Sequence, residues 1–230
     1  MFYEGKCFIC KVSGEIICAK CKNSFNYSPL IRNIYGHDWV SLYQIDQELE
    51  IILLEIKNKN RNKLRFFLAD CILDSVDNIS TLKKLITNSV LIPTPSNFKN
   101  QLVRGLDHNW EMLKILKFQA NKRNLNLQIY PGLLKSRSGV SDQRGLSASK
   151  RMHNMQNAIT PNNRNIDRIF SSNIHSNNST FNQSSHRFLL FDDVVTTGAT
   201  AMSATRILEN RGLAIAGALF TARAGQMRVL

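Results

Sequence analysis

Apolar residues recur along the chain in two rhythms. Over IDQELEIILLEIK, residues 45–57, they fall at Ile45, Leu49, Ile52, Leu53 and Ile56, the spacing of one face of an amphipathic helix. A second apolar helix is predicted at about 63–76. SVLIPTP, Ser89–Pro95, is a short continuous apolar run ended by two prolines, which predicts a buried strand. Residues 106–122 read as a helix and Leu125–Leu134 as a strand region. RFLLF, 187–191, reads as a buried strand and 200–211 as an apolar-faced helix with Gly212 at its C-cap. LAIAGALFTA, 213–222, is a further buried strand. The last three elements form a βαβ unit with a right-handed crossover. The predicted fold class is α/β: an open, mostly parallel sheet flanked by helices, with ligands at the carboxyl ends of the strands.

Polar stretches interrupt this pattern. KNKNRNKLR places Lys57, Lys59, Arg61, Lys63 and Arg65 in a dense cationic turn, which serves as a solvated face or as a contact for a phosphate backbone. Lys135–Asn154 is basic and glycine-containing, and predicts a mobile loop leading into a short helix at Ser147. Residues 165–186 are read as a flexible insertion, chiefly for the Asn/Ser-rich stretch 171–186 with almost no core formers. His153, His175 and His186 stand alone in polar sequence, where no ligand role is expected.

CFICKVSGEIICAKC contains Cys7-x-x-Cys10 and Cys18-x-x-Cys21. Two CxxC knuckles supply four thiolates for a tetrahedral zinc ion. The intervening segment reads as a short hairpin turning at Ser13-Gly14. A closed four-cysteine site has no open position, so the Zn2+ is expected to be structural. The expected domains are 1–28, a four-cysteine zinc finger, and 29–230. Lys6, Lys11, Lys20 and Lys22 surround the ligands, with Phe8 and Phe25 close by. They suit either single-stranded nucleic acid, by phosphate contact and base stacking, or simple packing and solvation of the knuckle. Cys71, in FFLADCILD, is expected to be a buried core residue.

The 30 lysines and arginines outnumber the 17 acids, for a net charge of +13. Such a balance bears on partners rather than on fold. It favours polyanions: nucleic acid, phosphorylated metabolites or an anionic membrane face. No apolar run is long enough for a membrane-spanning helix, and no secretory signal pattern opens the chain. The expected location is the cytoplasm, with the inner face of the membrane open as a site of action.

FLLFDDVVTTGAT, Phe188–Thr200, carries the clearest chemistry. A buried strand delivers Asp192 and Asp193 to the sheet edge, read here as two exposed carboxylates. The turn then enters a helix, where backbone N–H groups and the dipole favour a phosphate. Gly198 allows close approach, and Thr197 and Thr200 add hydroxyl donors. The acids make sense as acceptors from a neighbouring diol, or as holders of Mg2+ through water. A sugar phosphate with vicinal hydroxyls satisfies both halves.

This stretch resembles the phosphoribosyl-pyrophosphate (PRPP) loop of type I phosphoribosyltransferases. The resemblance implies ribose 2′- and 3′-hydroxyls on Asp192 and Asp193. It implies the 5′-phosphate on Thr196, Thr197, Gly198, Ala199 and Thr200. With the N-terminal cysteine knuckle, the chain resembles the ComF/ComFC competence proteins. IPTP with Arg104-Gly105 resembles their PVP…RGFNQ region, and Gln143-x-x-Leu146 with Arg151-x-x-Asn154 resembles their Q-x-x-L…R-x-x-N segment. Departures are Leu106-Asp107-His108 in place of FNQ, Val140 in place of a common threonine, and the insertion. The resemblance implies a type I phosphoribosyltransferase fold, Mg2+ with PRPP, and a role in DNA uptake during natural transformation. Thr94, Ser96 and Asn97 become pyrophosphate-loop candidates, with Arg104, Arg137, Arg144, Lys150 and Arg151 as clamps for the leaving charge. Thr196 stands where purine-salvage relatives carry an acid, and Cys7 belongs to the knuckle, so purine salvage and glutamine-dependent transfer are disfavoured. Three functions compete. One is an uptake protein binding single-stranded DNA and PRPP, together with other uptake proteins. The second is a phosphoribosyltransferase acting on an unidentified acceptor. The third is a non-catalytic nucleotide sensor.

Overall fold

The computed structural model describes residues 5–95, 107–137, 159–172 and 187–225. Ser96, Asn97, Arg104, Arg144, Lys150 and Arg151 lie outside these residues. So do the motif positions 105–106, 140, 143, 146 and 154, and the three isolated histidines.

Two helices follow the cationic-turn pattern: α2 (Gln47–Lys59) and α3 (Asn62–Asn78). Asp46 caps α2 by accepting the N–H of Leu49, and Asn60 ends it in the left-handed conformation. A short helix α1 (Ala19–Ser24) precedes them and α4 (Ser80–Thr87) follows. The predicted 89–95 strand is β3 (Ser89–Pro93). α5 (His108–Lys122) begins at Asp107, whose carboxylate accepts from the N–H groups of Asn109 and Trp110. β4 is Gln128–Ile129, and β5 (Leu134–Ser136) pairs antiparallel with β6 (Ile159–Pro161) in a separate small sheet.

The last βαβ unit is β7 (Arg187–Val195), α7 (Ala199–Glu209) and β8 (Ile215–Arg223). Gly212 is left-handed, and Leu213 N–H turns back to the Leu208 carbonyl, closing the end of α7. β7 is longer than the predicted 187–191: it runs on through the two aspartates to Val195.

Strand order in the main sheet is β1-β2-β8-β7-β3-β4, where β1 (Tyr27–Ile34) and β2 (His37–Gln44) form an antiparallel hairpin. The other neighbouring pairs are parallel. The mostly parallel sheet with helices on both faces therefore matches the expected class. The hairpin gave little warning in the pattern. β2 is buried on both faces and β1 is an exposed edge, so neither alternates cleanly.

Core residues split by strand pleat. In β7, Leu189 and Phe191 join the layer containing α2, α3, α4 and α5. Phe188 and Leu190 join the layer containing α7 and the small sheet. A sixth helix, α6 (Asn163–Ser172), corrects part of the flexible-insertion reading: Ile166 and Ile169 are each 2% exposed and pack in the α7 layer. A helical apolar pair within polar sequence was enough to dock it. Residues 173–186 lie outside the described residues.

The cysteine knuckle is built into the first layer rather than hung from it. Cys7, Ile17, Cys21 and Phe25 belong to the same cluster as Leu53, Ile56 and Leu68. Phe25 makes edge contacts with Tyr43 and Phe67, so it packs and does not offer a face for stacking. Cys71 is buried, as expected.

Candidate phosphoribosyl site and cysteine cluster

β7 leaves the sheet between β8 and β3, where the chain then enters α7 through Thr196, Thr197 and Gly198. Gly198 is the N-cap of α7, at φ 76°. A Cβ there would lie 2.5 Å from Trp39 Cζ3. The position needs glycine twice: for the left-handed backbone and for the fully buried Trp39 beneath it. Thr197 Oγ1 accepts the Ala199 N–H at 3.4 Å. Residues 194–201, with Asp192 and Phe220, line a cleft of about 240 Å³, including its open mouth. Thr196 and Thr197 are exposed at the rim. The first-turn N–H groups of α7 make this a place for an anion. The five loop residues named from sequence, 196–200, are thus brought together here with Asp192.

The acid pair is not two exposed carboxylates. Because β7 continues to Val195, the two side chains diverge with the pleat. Asp192 lines the cleft. Asp193 does not; its Oδ2 lies 2.5 Å from Lys57 Nζ at the end of α2 and 3.5 Å from His108 Nε2 at the start of α5. Asp193 Oδ1 accepts the Val194 N–H at 2.8 Å. The Asp193 side chain is only 14% exposed.

Asp192 Oδ1 accepts from Asn109 Nδ2 at 2.9 Å and from the Asp193 N–H at 3.0 Å. Asn109 is buried and also donates to the carbonyl and hydroxyl of Thr94. Thr94 N–H bonds the Phe191 carbonyl at 2.9 Å, so Thr94 sits at the carboxyl end of β3, alongside β7. Arg137 is exposed, just past β5.

These surroundings drive the two acids apart. Burial and the neighbouring Asp193 charge push the Asp192 carboxyl up to about 7. Burial also raises Asp193, but the adjacent His108 imidazole and the Lys57 charge outweigh it and hold Asp193 well below the ordinary carboxylate range. At neutral pH the pair therefore carries less than two full negative charges. This suits a wall that faces a phosphate.

Lys57, His108 and Asn109 were not singled out as site residues from sequence. Lys57 read as part of a solvated turn, and His108 as a departure from a motif. Their contacts are made across the fold, and no local spacing announces them. The only sequence signal for Lys57 is its place beside Ile56, at the border of the buried stripe of α2.

The cationic turn is largely engaged within the protein. Besides Lys57, Lys59 and Arg61 pair with Glu55. Arg65 is fully buried and bonds Asn60, Asn62 and the Ile56 carbonyl.

At the other end of the chain, the Sγ atoms of Cys7, Cys10, Cys18 and Cys21 all lie within 4.8 Å of one another. Such a set can hold a metal ion. A turn at Phe8–Cys10 is closed by the Cys7 N–H to Val12 carbonyl bond and the Lys6–Ser13 bridge. This replaces the hairpin expected at Ser13-Gly14. Burial raises the Cys7 thiol, but N–H groups of Cys18, Cys10 and Ile9 aimed at its sulfur bring it down to about 6. That arrangement favours the thiolate form a metal requires. Burial and the neighbouring thiols push Cys21 up to about 12. Lys22 pairs with Asp74 of α3 at 3.1 Å, and Asp74 also accepts from Arg123 just after α5. The cluster is thereby tied to both helices.

No helix among the described residues is long and apolar enough to cross a membrane. No family model matches the chain, and no curated protein matches it. Among solved structures, a hypoxanthine phosphoribosyl transferase of Trypanosoma cruzi aligns over 90% of this chain and 74% of its own. Their identity is 14% and the TM-score 0.33.

Proposed function

We propose that this chain binds a phosphoribosyl group, PRPP or a ribose 5-phosphate, in the cleft between β7 and α7. We propose further that it binds single-stranded DNA as a DNA-uptake protein of the ComF type. The observation that carries the reading is that Asp192 and the N-terminal turn of α7 share one small cleft. The N–H groups of residues 199–201 and the threonine hydroxyls would hold the 5′-phosphate, and Asp192 would accept from a sugar hydroxyl. With PRPP, Mg2+ would neutralise the diphosphate. Thr94 and the clamp residues Arg104, Arg137 and Arg151, with Ser96 and Asn97, are proposed to face that end.

Zn2+ is proposed at the four cysteines, holding the knuckle as a structural element. For DNA, the net charge of +13 supplies a long-range attraction. Lys59 and Arg61 of the 57–65 turn pair with Glu55, and the Lys11 ammonium bonds the Phe8 carbonyl, so Lys6 and Lys20 of the knuckle are the better phosphate contacts. The exposed Phe118, with Lys122 Nζ 4.4 Å from its ring centroid, offers a face for base stacking. The proposed location is the cytoplasm, at or near the inner membrane face with other uptake proteins.

The test is single-stranded DNA binding over a salt series, with and without Mg-PRPP, for the wild type and an Asp192→Ala/Asp193→Ala variant. The expected result is a steep fall in affinity with salt and a response to PRPP in the wild type alone. If DNA binds no better than to any basic protein while PRPP binds well, the uptake reading fails. A phosphoribosyltransferase with an unidentified acceptor then takes its place.

A further inference from the structure

The two acids of the loop face different partners, and this bears on which sugar the cleft can hold. A ribose offers two adjacent hydroxyls, and a site reading both needs two carboxylates turned to the same side. Here the pleat of β7 carries Asp192 to the cleft and Asp193 to the opposite layer. Both oxygens of Asp193 are already in use. Oδ1 accepts the Val194 N–H, and Oδ2 lies 2.5 Å from Lys57 Nζ with His108 Nε2 at 3.5 Å. A neutral hydroxyl is a poor substitute for that ammonium. It would leave a carboxylate that is 14% exposed without its counter-charge, close to a bound phosphate.

We propose that the pleat of β7 keeps Asp193 out of the cleft, with Lys57 and His108 holding its carboxylate on the other face, so that the site reads one sugar hydroxyl through Asp192 and accepts a 2-deoxyribose 5-phosphate unit as well as a ribose 5-phosphate. This rests on the phosphoribosyl reading above and names its ligand class more closely. The hydroxyl read is the 3-hydroxyl, the only ring carbon hydroxyl that the two sugars share besides the anomeric one. The ligand must carry it free. The free sugar phosphate and a deoxynucleoside 5′-monophosphate qualify. A nucleotide within a DNA strand, or at its 5′ end, has that oxygen esterified and does not. In this inference Lys57 and His108 anchor Asp193 on its own face and do not touch the sugar.

The experiment is calorimetric titration of the full chain with ribose 5-phosphate, 2-deoxyribose 5-phosphate, thymidine 5′-monophosphate and inorganic phosphate, repeated on Lys57→Met. In the wild type the two sugar phosphates are expected to bind within about twofold of each other, and each about tenfold or more tighter than phosphate. Thymidine 5′-monophosphate binding alongside them identifies the nucleotide as a source of the unit; sugar phosphates binding without it identify the free sugar. In Lys57→Met the ratio is expected to stay within about twofold of the wild type, because the pleat still turns Asp193 away from the cleft. A preference for ribose 5-phosphate of about fivefold or more in this variant overturns the role of the pleat. A wild-type preference for ribose 5-phosphate of tenfold or more overturns the inference while leaving the phosphoribosyl reading standing. If neither sugar phosphate binds better than inorganic phosphate, the phosphoribosyl reading itself fails and this inference with it. Should Lys57→Met not fold, the wild-type ratio still decides.

Discussion

Asn109 Nδ2 lies 2.9 Å from Asp192 Oδ1, joining the first turn of α5 to the strand that carries the acid pair. The same amide group donates to Thr94 at the end of β3. Three elements thus meet at one buried side chain. Replacing Asn109 by alanine leaves the Thr94 carbonyl and one Asp192 oxygen without this donor. The expected cost is about 2–3 kcal/mol, measured by denaturant unfolding. Because the donor favours the ionised carboxylate, its removal should also move the Asp192 titration to higher pH. Carboxyl chemical shifts followed against pH would detect this. A titration that stays in place would separate Asn109 from the electrostatics of the pair.

The raised Asp192 carboxyl predicts a pH window of stability. Its folded value of about 7 lies above the ordinary 3.8. Between these two, the folded chain binds the proton more tightly than the unfolded chain. Its contribution is fully present below about pH 4 and is lost as pH rises to about 7. At about 1.4 kcal/mol per pH unit of separation, the effect is on the order of 1–4 kcal/mol. Asp193, held low, works in the opposite sense: its contribution is present above the ordinary carboxylate range and lost on acidification below it. Asp192→Asn keeps an acceptor for Asn109 and removes the titration. The stability of the wild type relative to this variant should fall from pH 4 to pH 7. A constant difference across that range would count against the assignment.

Gly198→Ala should be among the most damaging single changes at the loop. The left-handed backbone alone costs a β-carbon about 1–2 kcal/mol, and the Trp39 ring lies 2.5 Å from where that carbon would sit. A total of about 2–4 kcal/mol is expected, or a melting temperature lower by roughly 5–10 °C. Trp39→Leu in the same chain should recover part of this loss, because it relieves the contact and not the backbone. Thermal melts of the two variants check it.

The position of the knuckle in the main core predicts a global response to metal removal. Cys7 and Cys21 share a cluster with residues of α2 and α3, so losing the ion should loosen the domain and not only its first residues. Elemental analysis should find one zinc per chain. Chelation, or Cys21→Ser, should lower the melting temperature of the whole protein by about 5 °C or more. A melt unaffected by chelation would mean that the cluster is independent of the core.

Much was legible in the chain because the signals are local. The periodicity of 45–57 marks α2, the run RFLLF marks β7, and paired CxxC motifs bring four sulfurs to one point. The strand–acid–acid–threonine–glycine order also located the cleft. The hairpin of β1 and β2 was missed because its strands do not alternate, and α6 because two isoleucines within polar residues give little signal. Asp193 was read as exposed because the chemistry of DD, read as a pair at a strand end, assumes that the strand has already stopped.

The sequence by itself determined which elements form, since helix spacing, strand runs, caps and ligand spacings depend on neighbours a few positions apart. Only the tertiary structure decided what the acid pair faces. Lys57 and His108 meet Asp193, and Asn109 meets Asp192, because packing α2 and α5 against the sheet brings distant parts of the chain together. The extension of β7 to Val195 is set by its pairing with β8, where Val194 and Val195 align with Ala222 and Arg223. That pairing turns two adjacent aspartates to opposite faces, with Asp192 lining the cleft and Asp193 held by Lys57 and His108.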